Sequence, residues 1–215
     1  TAVDLLEGLD APVYKIASFE ITDLPLIKYV AQTRKPIIIS TGMANLEEIS
    51  EAVHVAKENG CQDLMLLHCI SAYPAPVNQS NLRTIPDLAE RFNVLSGLSD
   101  HTMGTIASTT SVALGSSLIE KHFTLSRSDK GPDSEFSLEP DELKRLCQEA
   151  RLAWQSLGEV GYERKESENS SVKFRRSIYA IKNIQEGEKL TKENINRIRP
   201  GFGLHPKYYK DILGK

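Results

Sequence analysis

The stretch that decides the fold reads Pro36-Ile37-Ile38-Ile39-Ser40, then a helical pattern over 46–59, then Leu64-Met65-Leu66-Leu67-His68-Cys69. Both apolar runs are nearly continuous, which is typical of parallel strands covered on both faces. Gly60 follows the helical pattern at the position where glycine commonly ends a helix. This order predicts a parallel βαβ unit.

The same alternation continues on both sides of this stretch. Further strands are predicted at 13–17, 94–98 and 117–120, and further helices at 104–115 and 140–157. The repeat of about 25 to 30 residues is the size of one unit of a (β/α)₈ barrel. We therefore expect an α/β fold in which residues 1–157 are about the last five units of a partial TIM barrel. A doubly wound sheet is the alternative, although no Gly-x-Gly-x-x-Gly motif follows the first strand.

The chain opens on Thr1 within a helical pattern, and we interpret it as a fragment of a longer protein. A whole barrel takes about 250 residues, so further units are expected before Thr1. An open arc of five strands exposes an edge. We expect the fragment alone to be unstable or inactive, although its parent is an enzyme.

A second, smaller module follows the barrel units. Residues 158–172 are polar and without periodicity, which indicates a linker, and 173–215 form the module. Within it, 176–181 alternates like a strand and 191–195 resembles a capped helical turn. Because about 40 residues supply little core, we expect this module to be incomplete.

The composition excludes several functional classes. The net charge of −3 gives no electrostatic case for binding nucleic acid or an anionic membrane. No apolar run reaches the ~20 residues that span a bilayer. The three cysteines lack the spacing of a metal finger, so we expect reduced thiols and a cytoplasmic protein.

Two histidines stand where predicted strands end, and we interpret them as metal ligands. His101 follows Leu98-Ser99-Asp100, and His122 follows Ile119-Glu120-Lys121. The carboxyl ends of parallel strands share one rim, where ligands bind. With Asp100, Glu120 and Asp133 nearby, the imidazoles are expected to hold a divalent cation. The alternative is a pair of hydrogen-bonded structural histidines.

Side-chain alternation assigns faces to these residues. Glu120 and His122 share one face and Lys121 the other, while Gly97 is expected to leave room for a ligand beside His101.

A lysine at the end of the first strand predicts an anion site. Burying Lys15 is costly unless it meets an anion, and serine hydroxyls from neighbouring strand ends can add donors. Lys15, Ser18 and Glu20 cannot all point inward from a regular strand, so either a bulge intervenes or the strand ends by Ala17. The alternative is a surface lysine whose stem lies between helices.

Three further segments are candidates for ligand contacts. The stiff loop from Ser71 to Pro76 presents Tyr73, and Gly131-Pro132-Asp133 places a carboxylate beyond His122. Arg199 lies on a basic edge of the small module. His68, by contrast, lies within an apolar run and is expected to be a core residue.

Six strings together identify a family. The sequence resembles the sialic acid synthases, which condense phosphoenolpyruvate with an amino-sugar aldehyde, and residues 173–215 resemble the antifreeze-like SAF domain that ends these enzymes. Residues 17–21 are more similar to pseudaminic acid synthases than to sialic or legionaminic acid synthases. The strings are Tyr14-Lys15-Ile16-Ala17-Ser18-Phe19-Glu20, Ile39-Ser40-Thr41-Gly42-Met43, Ser71-Ala72-Tyr73-Pro74, Gly97-Leu98-Ser99-Asp100-His101-Thr102, Glu120-Lys121-His122-Phe123 and Gly131-Pro132-Asp133.

The resemblance implies a role for each candidate residue. It implies Mn²⁺ or Mg²⁺ at His101 and His122, and an SAF-domain arginine, Arg199, inserted into the partner's site of a domain-swapped homodimer. The phosphoenolpyruvate positions are implied for Lys15, Ser18, Ser40 and Ser99, and the acceptor-sugar positions for Glu20, Tyr73 and Asp133. Ser71 is a further substrate-binding candidate, and Lys15, Glu20 and Asp133 are the candidate catalytic groups.

Alternatives to a pseudaminic acid synthase stay open at this point. Within the family they are N-acetylneuraminate and legionaminate synthases. In other classes they are a non-catalytic carbohydrate-binding fragment and a metal-dependent aldolase.

Overall fold

The computed structural model describes residues 1–215 and divides them into two compact units, Thr1–Gly158 and Glu159–Lys215. The first unit contains one sheet of five parallel strands in the order β1-β2-β3-β4-β5. The strands are β1 Tyr14–Ile16, β2 Ile37–Ser40, β3 Leu64–Cys69, β4 Leu95–Asp100 and β5 Ile119–Lys121. Its helices are α1 Ala2–Gly8, α2 Leu24–Ala31, α3 Leu46–Glu58, α4 Thr84–Phe92, α5 Ile106–Ala113 and α6 Pro140–Leu157.

The strand order distinguishes the two predicted architectures. Each connection moves one strand along in the same direction, from β1 to β5, with no reversal. A doubly wound sheet requires a reversal, whereas successive βα units of a barrel do not. The five strands form a curled half-barrel, so the partial-barrel prediction is confirmed and the doubly wound alternative is wrong.

The apolar runs fold as strands because their outward face is covered by helices. Ile37, Ile39 and Leu66 are fully buried on that face, together with Ile27 of α2 and Ala52 of α3. Helix ends carry the expected caps: Asn45 and Glu48 form a reciprocal capping box at α3. This outer layer fixes the register that delivers the strand ends to one rim.

The apolar face of α6 is largely open. Only Leu146 of this helix is buried, and Trp154 is 66% exposed. Leu143, Cys147 and Ala150 instead line an open groove beside β5. Because β5 is an edge strand of the sheet, no further strand supports this face.

The second unit is small. Its strands β6 Ser177–Ala180 and β7 Ile195–Ile198 pair antiparallel, and a short helix, α7 Tyr209–Ile212, follows. The capped turn predicted at 191–195 is present, because the Thr191 carbonyl oxygen accepts from the Ile195 amide at 3.1 Å and Asn194 Oδ1 accepts from the Thr191 amide at 2.7 Å. It goes no further as a helix, since Ile195 already belongs to β7. A 3₁₀ helix, Glu166–Phe174, begins within the predicted linker and ends two residues beyond it. Neither unit has a helix long and apolar enough to cross a membrane.

Candidate active site

One pocket lies at the carboxyl ends of all five parallel strands. The rim of a half-barrel gathers residues that are more than one hundred positions apart in the sequence. Eight of the eleven predicted site residues line it, together with four others. The lining residues are Lys15, Ala17, Ser18, Phe19, Ser40, Cys69, Tyr73, Ser99, His101, Glu120, His122 and Asp133.

The two predicted histidines converge in this pocket. The ring centroids of His101 and His122 are 5.2 Å apart, with an interplanar angle of 62°. His101 Nδ1 donates to the carbonyl oxygen of Ile70 at 2.9 Å, so Nε2 carries the free lone pair. Burial lowers the pKa of His101, which favours the neutral imidazole that a metal requires.

His122 is held by a carboxylate and by aromatic rings. Its Nδ1 lies 3.5 Å from Oδ2 of Asp133. Phe136 packs edge-on against its ring at 4.9 Å, and Tyr73 does so at 6.0 Å. Tyr73 also contacts His101, with a centroid distance of 4.3 Å. The predicted residue Tyr73 therefore bridges both imidazoles.

The donor set fits a divalent cation with open coordination positions. Ligating histidines usually donate their second nitrogen to a carbonyl or carboxylate. His101 does so with Ile70, and the carboxylate of Asp133 lies 3.5 Å from Nδ1 of His122. No group of three or more His, Cys, Asp or Glu side chains is arranged to hold a metal ion. A cation at the two imidazoles would therefore take its remaining ligands from water or substrate.

The opposite side of the pocket provides cationic and hydroxyl donors. Lys15 points into the pocket, with Nζ 3.6 Å from Oε1 of Glu120 and 3.0 Å from the Ile16 carbonyl oxygen. Ser99 donates to Glu120 at 2.7 Å. Ser40 is buried, and its hydroxyl has no hydrogen-bond partner within the protein. An unpaired buried hydroxyl costs stability unless a ligand satisfies it, so this side of the pocket is suited to an anion.

Three loops meet tightly beside Lys15. Ser71 donates to Ser18 at 3.0 Å, which joins the loops after β3 and β1, although Ser71 itself stands behind the pocket lining. Gly42, in the loop after β2, has a positive φ of 51°. A Cβ there would lie 2.3 Å from Ser18 Cβ and 2.6 Å from Ser71 Oγ, so the contact requires glycine.

Several predicted positions do not face the pocket. Glu20 is exposed outside it, because β1 ends at Ile16 and the chain turns over 18–20. Asp100 lies on the opposite face of the sheet, paired with Lys121. The space beside Gly97 is filled by the backbone of Leu118 and the side chain of Leu67, which leaves no room for a ligand.

Two other predicted residues lie elsewhere. Arg199 is an exposed residue of the second unit, directly after β7. His68 is buried, and its Nε2 donates to the Ser80 carbonyl oxygen at 2.6 Å, which confirms the core prediction.

Three side chains in or against the pocket, Cys69, Phe19 and Phe136, were given no role from the sequence. Glu120 was predicted as a carboxylate near the metal, yet it contacts both Lys15 and Ser99. Cys69 is the inward residue at the end of β3, and burial raises the pKa of its thiol. Phe19 is 60% exposed at the pocket lining. Strand alternation could have found Cys69, whereas Phe19 and Phe136 lie on loops that alternation does not describe.

Comparison with known proteins places the chain in a family. The model of the NeuB family matches residues 1–162, and the SAF domain model matches 175–215. The chain is 44% identical to the pseudaminic acid synthase of Helicobacter pylori, over 100% of this chain and 63% of that protein. It is also 44% identical to the N,N'-diacetyllegionaminic acid synthase of Campylobacter jejuni, over 100% and 65%.

A solved structure gives the same result. The N-acetylneuraminic acid synthetase of Leptospira borgpetersenii, determined in complex with citrate, superposes with a TM-score of 0.73 and 34% identity. The match covers 80% of this chain and 60% of that one. The chain spans less than two thirds of the length of all three proteins.

Proposed function

Because the chain belongs to the NeuB family, we propose that it carries the chemistry of a nonulosonic acid synthase. In this reaction C3 of phosphoenolpyruvate bonds to the aldehyde carbon of an amino sugar, water adds at C2, and phosphate leaves. Relatives named pseudaminic and legionaminic acid synthases support the assignment. The observation that carries it is the convergence of His101 and His122 on a pocket that also holds Lys15 and the unpaired hydroxyl of Ser40.

His101 and His122 would hold the divalent cation, Mn²⁺ or Mg²⁺. When bound, it supplies Lewis acidity toward a carbonyl oxygen. The protein's own contribution is to orient the two imidazoles, through Ile70 at His101 and Asp133 at His122.

Lys15 and the serine hydroxyls would bind the phosphate and carboxylate of phosphoenolpyruvate. The side chain of Lys15 is 30% exposed and its Nζ lies 3.6 Å from Glu120, so an incoming anion can take over part of this pairing. Ser40 Oγ would gain a hydrogen bond that the protein does not supply. Holding two reactants in register is the main source of rate in such a site.

The acceptor sugar would bind on the aromatic side of the pocket. Phe19 and Tyr73 present partly exposed rings there, and Asp133 offers a carboxylate to sugar hydroxyl or amide groups. Glu20 is assigned no direct contact, since it lies outside the pocket.

Within the family we favour a 2,4-diacetamido-2,4,6-trideoxy hexose acceptor, which makes the protein a pseudaminic acid synthase. The string Ala17-Ser18-Phe19-Glu20 supports this choice. A legionaminate synthase is the second candidate, because the relative of that name is equally identical at 44%.

Two further proposals complete the functional assignment. Arg199 of one copy would complete the active site of a second copy, which makes a homodimer the working form. Three free cysteines fit a reducing compartment, the cytoplasm.

A phosphate-release assay tests the proposal. The assay compares the full gene product with the 215-residue chain. Each is supplied with phosphoenolpyruvate, Mn²⁺ and the acceptor sugar of a pseudaminate, legionaminate or N-acetylneuraminate synthase. We expect release by the full product only, fastest with the trideoxy sugar and abolished in His101→Ala. His54→Ala is the matched control, because its side chain is 67% exposed on α3. Cleavage of the sugar acid without phosphate release would instead indicate an aldolase. If the full product binds the sugar but does not turn it over, it is a carbohydrate-binding protein.

A further inference from the structure

A buried ion pair lies behind the active site, on the face of the sheet that looks toward α5. Lys121 Nζ is 2.9 Å from Asp100 Oδ2, and these side chains are 3% and 1% exposed. Asp100 Oδ2 also accepts from Ser108 at 2.5 Å, and its Oδ1 accepts from the Thr102 amide at 2.8 Å. Lys121 donates in addition to the Thr102 carbonyl oxygen. Such complete satisfaction is what keeps a buried ion pair from destabilising a protein.

This ion pair lies where the pairing of β4 with β5 ends. Asp100 and Lys121 are partners in the final register pair of β4 and β5. The next residue on each strand is a pocket histidine, and beyond this point the two strands join different loops. The carbonyl oxygen of His101 accepts from the Ala75 amide, and that of His122 accepts from the Leu138 amide.

We propose that Asp100 and Lys121 are positioning residues that fix His101 and His122 relative to each other. Side chains alternate across a strand, so an ion pair on the outer face sets the backbone from which the next residues project inward. The pair, together with the bond from Lys121 to the Thr102 carbonyl oxygen, therefore links the two strand ends directly beside the imidazoles. The expected effect of the pair on metal affinity rests on the proposed function. Its expected effect on the distance between the two imidazole rings does not.

The test removes the pair without leaving a buried charge alone. The double variant Asp100→Asn/Lys121→Met keeps similar side-chain volumes while deleting both charges. Its matched control is Asp87→Asn/Arg91→Met, which deletes an exposed ion pair on α4. Both are made in the full gene product, and circular dichroism confirms that each variant folds.

Two measurements report on the histidines. The first is the nuclear Overhauser effect between the ring protons of His101 and His122 in protein with labelled histidine, called the cross-ring effect below. The second is the Mn²⁺ affinity, measured by electron paramagnetic resonance of the free ion. We expect the wild type and the control to show the cross-ring effect. In the double variant it should be lost, and Mn²⁺ affinity should fall about 10- to 100-fold, as for other residues that orient metal ligands.

Retention of both the cross-ring effect and wild-type Mn²⁺ affinity in the double variant would overturn the proposal, and so would absence of the cross-ring effect from the wild type. A wild type that shows the effect but binds no Mn²⁺ would count against the proposed function alone, and the ring spacing would still decide the positioning role.

If the double variant does not fold, Lys121→Arg replaces it, since it keeps the charge but has a longer, planar head group. We expect a weaker cross-ring effect in that variant, and an unchanged one would contradict the proposal.

Discussion

Two lysine–carboxylate pairs meet at adjacent residues of β5, one on each face of the sheet. On the outer face Lys121 pairs with Asp100 at 2.9 Å, and both side chains are almost fully buried. On the inner face Glu120 pairs with Lys15 at 3.6 Å, and these side chains are 41% and 30% exposed. The chemical groups are the same, but water competes only for the inner pair.

This difference separates a structural role from a binding role. A buried pair is costly to break, because removing one partner leaves an uncompensated charge. A half-exposed pair contributes little to stability, so its partners are free to rearrange around an anion. The outer face of the half-barrel therefore sets the geometry, and the inner face remains available for chemistry.

The largest expected effect is that of breaking the outer pair. Asp100→Ala leaves the ammonium group of Lys121 buried without its partner, and we expect a loss of about 3–5 kcal/mol in the free energy of unfolding. Urea unfolding followed by circular dichroism measures it. Glu120→Ala, which removes the carboxylate of the inner pair, should cost less than about 1 kcal/mol. Equal losses in the two variants would contradict the distinction between the faces.

A glycine substitution tests how tightly the inner loops are packed. Gly42→Ala and Gly104→Ala both place alanine at a positive φ, but only Gly42 has neighbours within 4 Å of the added Cβ. We expect Gly42→Ala to be less stable than Gly104→Ala by about 1–3 kcal/mol, the usual cost of overpacking. Differential scanning calorimetry compares them, and equal melting temperatures would show that the loops after β1 and β3 yield easily.

A pH titration probes the outer face at His68. Burial lowers the pKa of His68 below its usual value of 6.5, so the unfolded chain takes up the proton first. Its contribution to stability is complete above pH 6.5 and is lost as the pH falls. We expect His68→Gln to reduce the slope of stability against pH between 6.5 and 5, by up to about 1.4 kcal/mol per pH unit. His54→Gln, on an exposed side chain, should leave the slope unchanged.

Much of the fold and part of the site could be predicted from the sequence. Leu64–Cys69 and Pro140–Leu157 have the predicted bounds, because a continuous apolar run and a capped amphipathic stretch are strong local signals. The family resemblance is also confirmed. The convergence of His101 and His122 followed from the rule that parallel strands end at one rim.

The remaining features depend on tertiary neighbours that no local pattern shows. Asp100 was grouped with the metal ligands, but Lys121 and Ser108 satisfy it on the other face. Gly97 has no free space because the neighbouring strand approaches closely. The apolar residues of α6 have the spacing of one helix face, yet that face is mostly unburied because β5 is the edge strand of the sheet. Periodicity predicts which residues share a face, but not what covers that face.

The smallest effect on stability is expected at Lys15, where the comparison of the two faces is sharpest. Lys15→Met removes the cation of the inner pair, and we expect less than about 1 kcal/mol of change in unfolding free energy. The affinity for phosphoenolpyruvate should nevertheless fall about tenfold or more, since a charge-assisted hydrogen bond is lost. Isothermal titration calorimetry measures this, with Lys35→Met as control, because Lys35 pairs with Glu7 away from the pocket. A Lys15→Met variant that loses stability but binds phosphoenolpyruvate normally would show that the inner pair is structural, like the outer one. The assignment of a structural role to the outer face and a binding role to the inner face would then be wrong.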